Sequence, residues 1–438
     1  MGILIVIIQF LASLSLLVLI HEFGHFLFAR LFGMKVDKFY IFFNPGFTLY
    51  KHVSKKTGTE YGIGWLPLGG YTKIAGMIDE SLDTEQMDKP AQPWEFRSHP
   101  AWHRLLVMVA GVLFNFIFAL MIFVGVLYAY GHTYMPLQSV KAGMEFSEAA
   151  QKAGFQDGDI LLRADTSKLL TLDQDNFRKI INAETVTVLR NGKEVVVYIP
   201  ADMVEQMLKE QKGFAGYRYP FIVDSVMAGT PAALAQLRKG DEICGVNGRR
   251  MFASDIRTTI HNNAGKVVTL EVKRGTRSIN VRITPSADGM VGVSIRSIAQ
   301  IYPVQTRTYS LLESIPAGIS NGWHTLTGYV GDMKYVFTSE GASSVGGFGS
   351  IASLYPDEFN GQAFWNITAF ISLALAFMNL LPIPALDGGH VMFLLYEIIF
   401  RRKPSRNVLV KSQVIGMVLL LLLFVYANMN DLFRFLQH

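Results

Sequence analysis

The sequence has a single cysteine, Cys244, so an intrachain disulfide framework and a cysteine-rich metal site are both excluded. Charge is scarce as well. Lys, Arg, Asp and Glu together make up 17% of the 438 residues, against roughly a quarter in an ordinary soluble protein. The deficit is local. Long uncharged runs lie near both ends and a normally charged stretch lies between them, the pattern of membrane spans around a soluble insert. No Lys or Arg precedes Arg30. The basic n-region of a cleaved signal peptide is therefore missing. The apolar run from Gly2 to about Ile20 reads as a retained span that continues as one helix into His21.

The formal net charge is +5. Nucleic acid is not the expected partner, because the Lys and Arg cluster beside apolar spans, where they set topology. Membrane lipid is. Four segments have the roughly 20 apolar residues that a bilayer crossing takes: Ile3 to Ala29, Leu105 to Tyr130, Phe364 to Leu381 and Val408 to Tyr426. Arg30, Lys35 and Lys38 follow the first, and Arg97 and Arg104 precede the second. Arg401, Arg402, Lys403, Arg406 and Lys411 lie between the last two. These loops are expected in the cytoplasm, with both chain ends and the stretch from Gly131 to Gln362 on the far side.

That stretch contains an internal repeat. Gly154-Phe155-Gln156-Asp157-Gly158-Asp159-Ile160 recurs loosely as Leu237-Arg238-Lys239-Gly240-Asp241-Glu242-Ile243. A strand–turn–strand pattern follows each, around Arg190-Asn191-Gly192 and around Arg274-Gly275. The Gly-Asp-Ile pattern resembles PDZ domains, two in tandem, and the second copy matches better through Val246-Asn247-Gly248. Ser310 to Phe337 reads as amphipathic and is expected on the membrane surface. Gly341 to Ser350 is rich in Gly and Ser and reads as a loop. The expected organisation is a first span (1–30), a cytoplasmic region (31–103), a second span (104–130), two PDZ-like modules (131–215 and 216–300), a linker (301–362), a third span with its trailing motif (363–390), and a last loop and span (391–438).

The chemistry is concentrated in His21-Glu22-Phe23-Gly24-His25. Histidines four apart share one helix face, at about 100° per residue, so both imidazoles can reach one metal ion. Glu22 is turned aside by one residue and can take a proton from an attacking water and pass it to a leaving amine. Zinc suits such work because it acidifies water and polarises a carbonyl. Three ionisable groups in an apolar span are expensive there, which points to function. A catalytic zinc usually has three protein ligands. The third span ends in Asn379-Leu380-Leu381-Pro382-Ile383-Pro384-Ala385-Leu386-Asp387-Gly388-Gly389-His390. Asp387 and His390 are both suitable as the third ligand, and spacing does not choose between them. Asp387 also has a blander reading as the N-cap of a following helix.

Together these residues resemble the site-2 protease family, in its bacterial regulator-of-sigma-E protease form. The resemblance spans essentially the whole chain. It rests on the His-Glu-x-x-His helix, Gly69-Gly70-Tyr71, Asn115 in the second span, the tandem PDZ-like modules, and the Asn-x-x-Pro-x-Pro-x-x-Asp-Gly run from Asn379 to Gly388. One departure is Gly111-Val112-Leu113-Phe114-Asn115, where many relatives have Gly-Pro-x-x-Asn. The resemblance implies zinc held by His21, His25 and Asp387, with Glu22 as the base. It implies that Asn379, Pro382 and Asn115 accommodate substrate. It also implies a re-entrant β-hairpin over about 61–73, whose glycines and Pro67 disfavour helix. An unwound substrate could add to that edge as a strand. Pro384, with Pro382, keeps the wall of the site irregular.

The expected fold is thus a membrane protein of four transmembrane α-helices with a re-entrant β-hairpin, plus two β-rich PDZ domains outside the cytoplasm. The expected function is an intramembrane zinc endopeptidase of the bacterial inner membrane. Its expected substrates are transmembrane peptides, including anti-sigma-factor-like single-span proteins already cut once outside the membrane, and remnant signal peptides. A membrane-anchored PDZ scaffold with an inert metal site is the competing reading, and the intact His21, Glu22, His25 and Asp387 argue against it.

Overall fold

The computed structural model describes residues 2–77, 90–210, 213–336, 338 and 345–437. The chain divides into two compact units. One is Met1–Gly131 with Thr308–His438, and the other is His132–Arg307.

The first unit is built on helices α1 (Gly2–Leu31), α2 (Ala101–Tyr130), α3 (Leu311–Val336), α4 (Phe348–Ala352), α5 (Gly361–Leu380), α6 (Asp387–Phe400) and α7 (Arg406–Gln437). Among them, α1, α2, α5 and α7 are long and apolar enough to cross a membrane. Their ends follow local chemistry. Pro100 stands at the N-cap of α2, and Gly131, at φ 68°, closes its far end with its N–H on the Leu127 carbonyl. Asn360 caps α5 by accepting from the Ala363 N–H. Pro382 and Pro384 then prevent the helix from continuing.

Small residues let the helices approach closely, as is usual where lipid gives no hydrophobic drive between helices. A Cβ on Gly24 of α1 would lie 2.5 Å from the Ala110 carbonyl of α2 and 3.0 Å from Gly111 Cα. Further along α2, Ala119, Ile122, Phe123 and Val126 form a core with Ala369 and Leu373 of α5. Nearer its start, an ion pair of 2.6 Å joins Arg104 to Glu397 of α6, with both side chains largely buried.

The structure adds a helix contact to the reading of residues 310–336. α3 does not lie alone on a surface. Ser314, Gly318 and Gly322 form a buried stripe at four-residue spacing. A Cβ on Gly318 would meet Val124 of α2 at 2.6 Å, and one on Gly322 would meet Leu120 at 2.5 Å. The opposite side exposes Leu312, Ile315, Ile319 and Trp323. Glu313, Ser320, His324 and Thr327 are exposed as well, so α3 combines a small-residue face against α2 with an exposed side of mixed character. The Gly/Ser-rich stretch also differs from its reading as a loop, because Phe348 to Ser350 begin α4, while 341–344 lie outside the described residues.

Strands β1 (Val36–Val53) and β2 (Glu60–Ile74) make the sheet of this unit. Both bend. Residues 36–41 pair with 70–74 on one side, from Val36 with Ile74 to Ile41 with Gly70. On the other side they run beside 60–63, from Lys38 with Glu60 to Ile41 with Ile63. Residues 48–53 pair with the far edge of 60–64. The expected hairpin over 61–73 is therefore not closed on itself. That segment is β2, which wraps around β1, and its Pro67, Gly69 and Gly70 supply the bend.

The second unit holds two modules with separate cores. The first core includes Leu137, Phe155, Leu161, Val186, Val188 and Phe214. The second includes Phe221, Val223, Ile243, Val246, Leu270 and Val272. A short strand at Ala215–Tyr217 pairs back to Met144–Phe146, so the division between the modules falls after Tyr217. The repeat recurs in three dimensions as one ion-paired turn. Arg190 grips Asp159 through Nε at 2.8 Å and Nη2 at 2.6 Å. Arg274 grips Asp241 in the same two-pronged way, at 2.8 and 2.7 Å. Each carboxylate also accepts from a backbone N–H three residues earlier, at Gln156 and at Arg238. Burial pushes the Asp241 carboxyl up, but Arg274 and the Arg238 N–H outweigh it and hold the group below its ordinary value.

Candidate metal centre

The last turns of α1 and the first residue of α6 bring His21, His25 and Asp387 together. Their candidate ligand atoms all lie within 4.8 Å of one another. His21 Nε2 is 3.1 Å and His25 Nε2 3.3 Å from Asp387 Oδ2, and the two Nε2 atoms are 3.2 Å apart. Asp387 does not act as a cap. The N-cap of α6 is Leu386, with no side-chain cap bond, and the Asp387 carboxylate turns to the histidines instead.

The donor set fits a cation. His25 Nδ1 is 2.8 Å from the Val107 carbonyl of α2, which can only accept, so this nitrogen carries the proton. In the neutral ring, Nε2 then presents a lone pair to the other two ligand atoms. Asp387 Oδ2 is buried and receives no hydrogen bond among the described residues. Lone pairs converging on one point without a proton between them are what a metal ion resolves. Two imidazole nitrogens and a carboxylate oxygen suit zinc. Gly111 of α2 makes the space. A Cβ there would come within 2.7 Å of His25 Cε1 and 2.8 Å of His21 Cε1.

A cavity of about 560 Å³ opens at these residues. Glu22 lines it beside the three candidate ligands, as do Asn379, Gly70, Tyr71 and His390. Strand residues 70–74 form one wall. The strand is fixed to α1 by Thr72 Oγ1, which donates to the Glu22 carbonyl at 3.2 Å. Gly70 allows this, since a Cβ there would meet the Tyr40 carbonyl at 2.6 Å and Val18 of α1 at 3.0 Å. The Tyr71 ring stacks on Tyr40, and its hydroxyl donates to Asn44 Oδ1 at 3.0 Å.

Four of the expected site residues stand away from the cavity wall. Gly69 packs on the Phe43 ring. Pro382 and Pro384 lie in the turn between α5 and α6. Asn115 lies behind His21, its Nδ2 3.5 Å from His21 Nδ1. Several contributors had no side-chain signal in the sequence. Val107 acts through its backbone. Gln413 of α7 accepts from the Ala385 N–H at 3.2 Å and also lines the cavity, but in sequence it stands next to Lys411 and Ser412 and reads as the polar end of a span.

Two histidines four apart, a glutamate between them and a distant aspartate, all held by apolar helices, define a membrane-embedded metallohydrolase. The chain belongs to peptidase family M50, the site-2 proteases, whose family model matches residues 9–423. It is similar to the regulator of sigma E protease of Haemophilus influenzae, at 28% identity over 97% of this chain and 98% of the relative. It is also similar to the regulator of sigma-E protease RseP of Salmonella typhimurium, at 29% identity over the same shares of the two chains. A relative in Vibrio cholerae, 26% identical over 98% of each chain, is named as a zinc metalloprotease. The protein is thus a zinc metalloprotease of the membrane.

Proposed function

We propose that the protein is an intramembrane endopeptidase that cuts transmembrane segments of single-span proteins, with zinc held by His21, His25 and Asp387 and with Glu22 as the base. The observation that carries this reading is the meeting of the three ligand atoms within 4.8 Å, in a cavity that Glu22 shares.

Bound zinc would polarise the scissile carbonyl and acidify water. The remaining work falls to the chain. Glu22 takes a proton from the attacking water as the new C–O bond forms, then gives it to the leaving nitrogen as the C–N bond breaks. A helix in the bilayer must first unwind, and its freed amides need partners where water is absent. Residues 70–74, on the cavity wall, offer a strand for the opened segment to join. The Asn379 carboxamide, which also lines the cavity, hydrogen-bonds the extended substrate backbone.

The two modules of residues 132–307 act as PDZ domains outside the cytoplasm and admit substrates already trimmed by another protease. Each combines a small β-sheet with a helix of nine or ten residues, Gln174–Asn182 and Ala253–Asn262, which suits capture of a peptide end by strand addition. The relatives named for regulating sigma E favour anti-sigma-factor-like substrates in a bacterial inner membrane.

The test is turnover of a transmembrane peptide by purified Glu22→Gln protein, with and without a zinc chelator. Loss of cutting in both cases is expected. A variant as active as wild type would sink the mechanism. Zinc content should fall in Asp387→Ala and persist in His390→Ala, and the reverse would reassign the third ligand.

A further inference from the structure

We infer that Asn115 is a positioning residue for the metal ligand His21, rather than a contact for substrate. The inference rests on the zinc-ligand reading above.

Val107, Gly111 and Asn115 stand four apart and so share one face of α2. This face meets both ligand histidines. The Val107 carbonyl takes the Nδ1 proton of His25 at 2.8 Å. Gly111 leaves space for both rings. Asn115 faces Nδ1 of His21 at 3.5 Å. Asn115 is 1% exposed, and its backbone is fixed by Ser372 of α5, whose hydroxyl donates to the Asn115 carbonyl at 2.7 Å. It is also absent from the residues that line the cavity.

His21 turns Nε2 toward Asp387 and His25. A histidine that binds metal through Nε2 as a neutral ring carries its proton on Nδ1, and that N–H needs an acceptor. The Asn115 carboxamide can supply one. As it stands, its NH2 end faces Nδ1, and its Oδ1 is buried without a partner. A half-turn of the amide exchanges two ends of nearly equal shape. Oδ1 then accepts from Nδ1–H, and the orphaned acceptor is satisfied. Asn115 thereby does for His21 what the Val107 carbonyl does for His25.

The experiment compares full-length wild type, Asn115→Leu and Asn115→Asp. Zinc affinity is measured by chelator competition, and the absorption spectrum is recorded after replacing zinc with cobalt. Orienting partners of metal-bound histidines typically contribute roughly tenfold to a hundredfold in affinity. Asn115→Leu should lose about that much and change the cobalt spectrum, with KM for a transmembrane peptide little altered. Asn115→Asp keeps an acceptor and should bind zinc at least as tightly as wild type. If Asn115→Leu does not fold, the Asp variant decides, and zinc binding tenfold weaker in it overturns the inference. Wild-type zinc affinity in Asn115→Leu with a raised KM also overturns it and returns Asn115 to substrate binding. Failure of wild type itself to bind zinc would instead count against the parent reading.

Discussion

Ala385 carries a φ of 79°, a left-handed conformation that a residue with a Cβ rarely adopts. It lies two residues before Asp387, and its N–H is held by Gln413 of α7. Gly416, one turn further along α7, lets the Pro384 backbone approach. The turn that aims the candidate ligand is therefore braced by a helix far away in sequence. Gln413→Leu removes the acceptor and leaves a buried N–H unmet, at a cost of about 1–3 kcal/mol. A lower thermal midpoint and faster zinc loss to a chelator are expected. If both match wild type, Gln413 does not hold the turn. At this scale the sequence was informative wherever a side chain belongs to the candidate site. His21, Glu22 and His25 were legible from spacing in an apolar run, and Asp387 was one of two suitable groups. The supporting atoms were not legible, because the Val107 carbonyl, the Ala385 strain and the Gln413 bond depend on which segments meet.

At the scale of elements, α2 backs the candidate metal centre. Its glycine is as important as its polar atoms. Gly111→Ala would raise helix propensity by about 1 kcal/mol, yet its methyl would press on both imidazole rings. The expected outcome is a protein that keeps its helix content by circular dichroism and loses zinc affinity by at least about tenfold. Unchanged zinc binding would show that the rings can move aside. The strand β2 carries a similar lesson. Its glycines marked 61–73 as non-helical, but the hairpin partner lay in 36–53, where Phe42 at φ 70° and Gly46 at φ 85° turn the chain back. In α3, the apolar residues read as one side of a surface helix. The decisive signal was the spacing of Ser314, Gly318 and Gly322, small residues four apart that mark a close helix contact.

For the whole molecule, the long insert closes on itself. His132–Tyr134 pairs with Gln305–Arg307, so the two ends of the second unit meet in one small sheet. Residues 132–307 are expected to fold alone, as two modules with their own cores, and to unfold cooperatively in urea. Asp241→Asn should lower the stability of that fragment by about 2 kcal/mol, the scale of hydrogen bonds to a charged group. The sign of the pH dependence follows from the depressed native value of Asp241. Its contribution is complete above the unfolded value of about 3.9 and is lost as pH falls through the lower native one. Wild type should therefore lose stability on acidification more steeply than Asp241→Asn. Parallel acid profiles would contradict this account. The repeat was legible in advance because Gly158-Asp159 and Gly240-Asp241 recur with Arg190 and Arg274 downstream. That each Arg reaches back to its Asp needed the sheet to bring the strands together.

The sequence alone was enough to mark the apolar spans, the helix that carries His21 and His25, the repeat and the residue types of the candidate site, because hydrophobic length, helical period and ligand type are local properties. Only the tertiary structure decided that Asp387 turns to the histidines rather than capping its helix, that α3 packs on α2, and that one face of α2 meets both imidazoles. Those outcomes depend on which backbone atoms come within a few ångströms of one another, and no residue carries that information by itself.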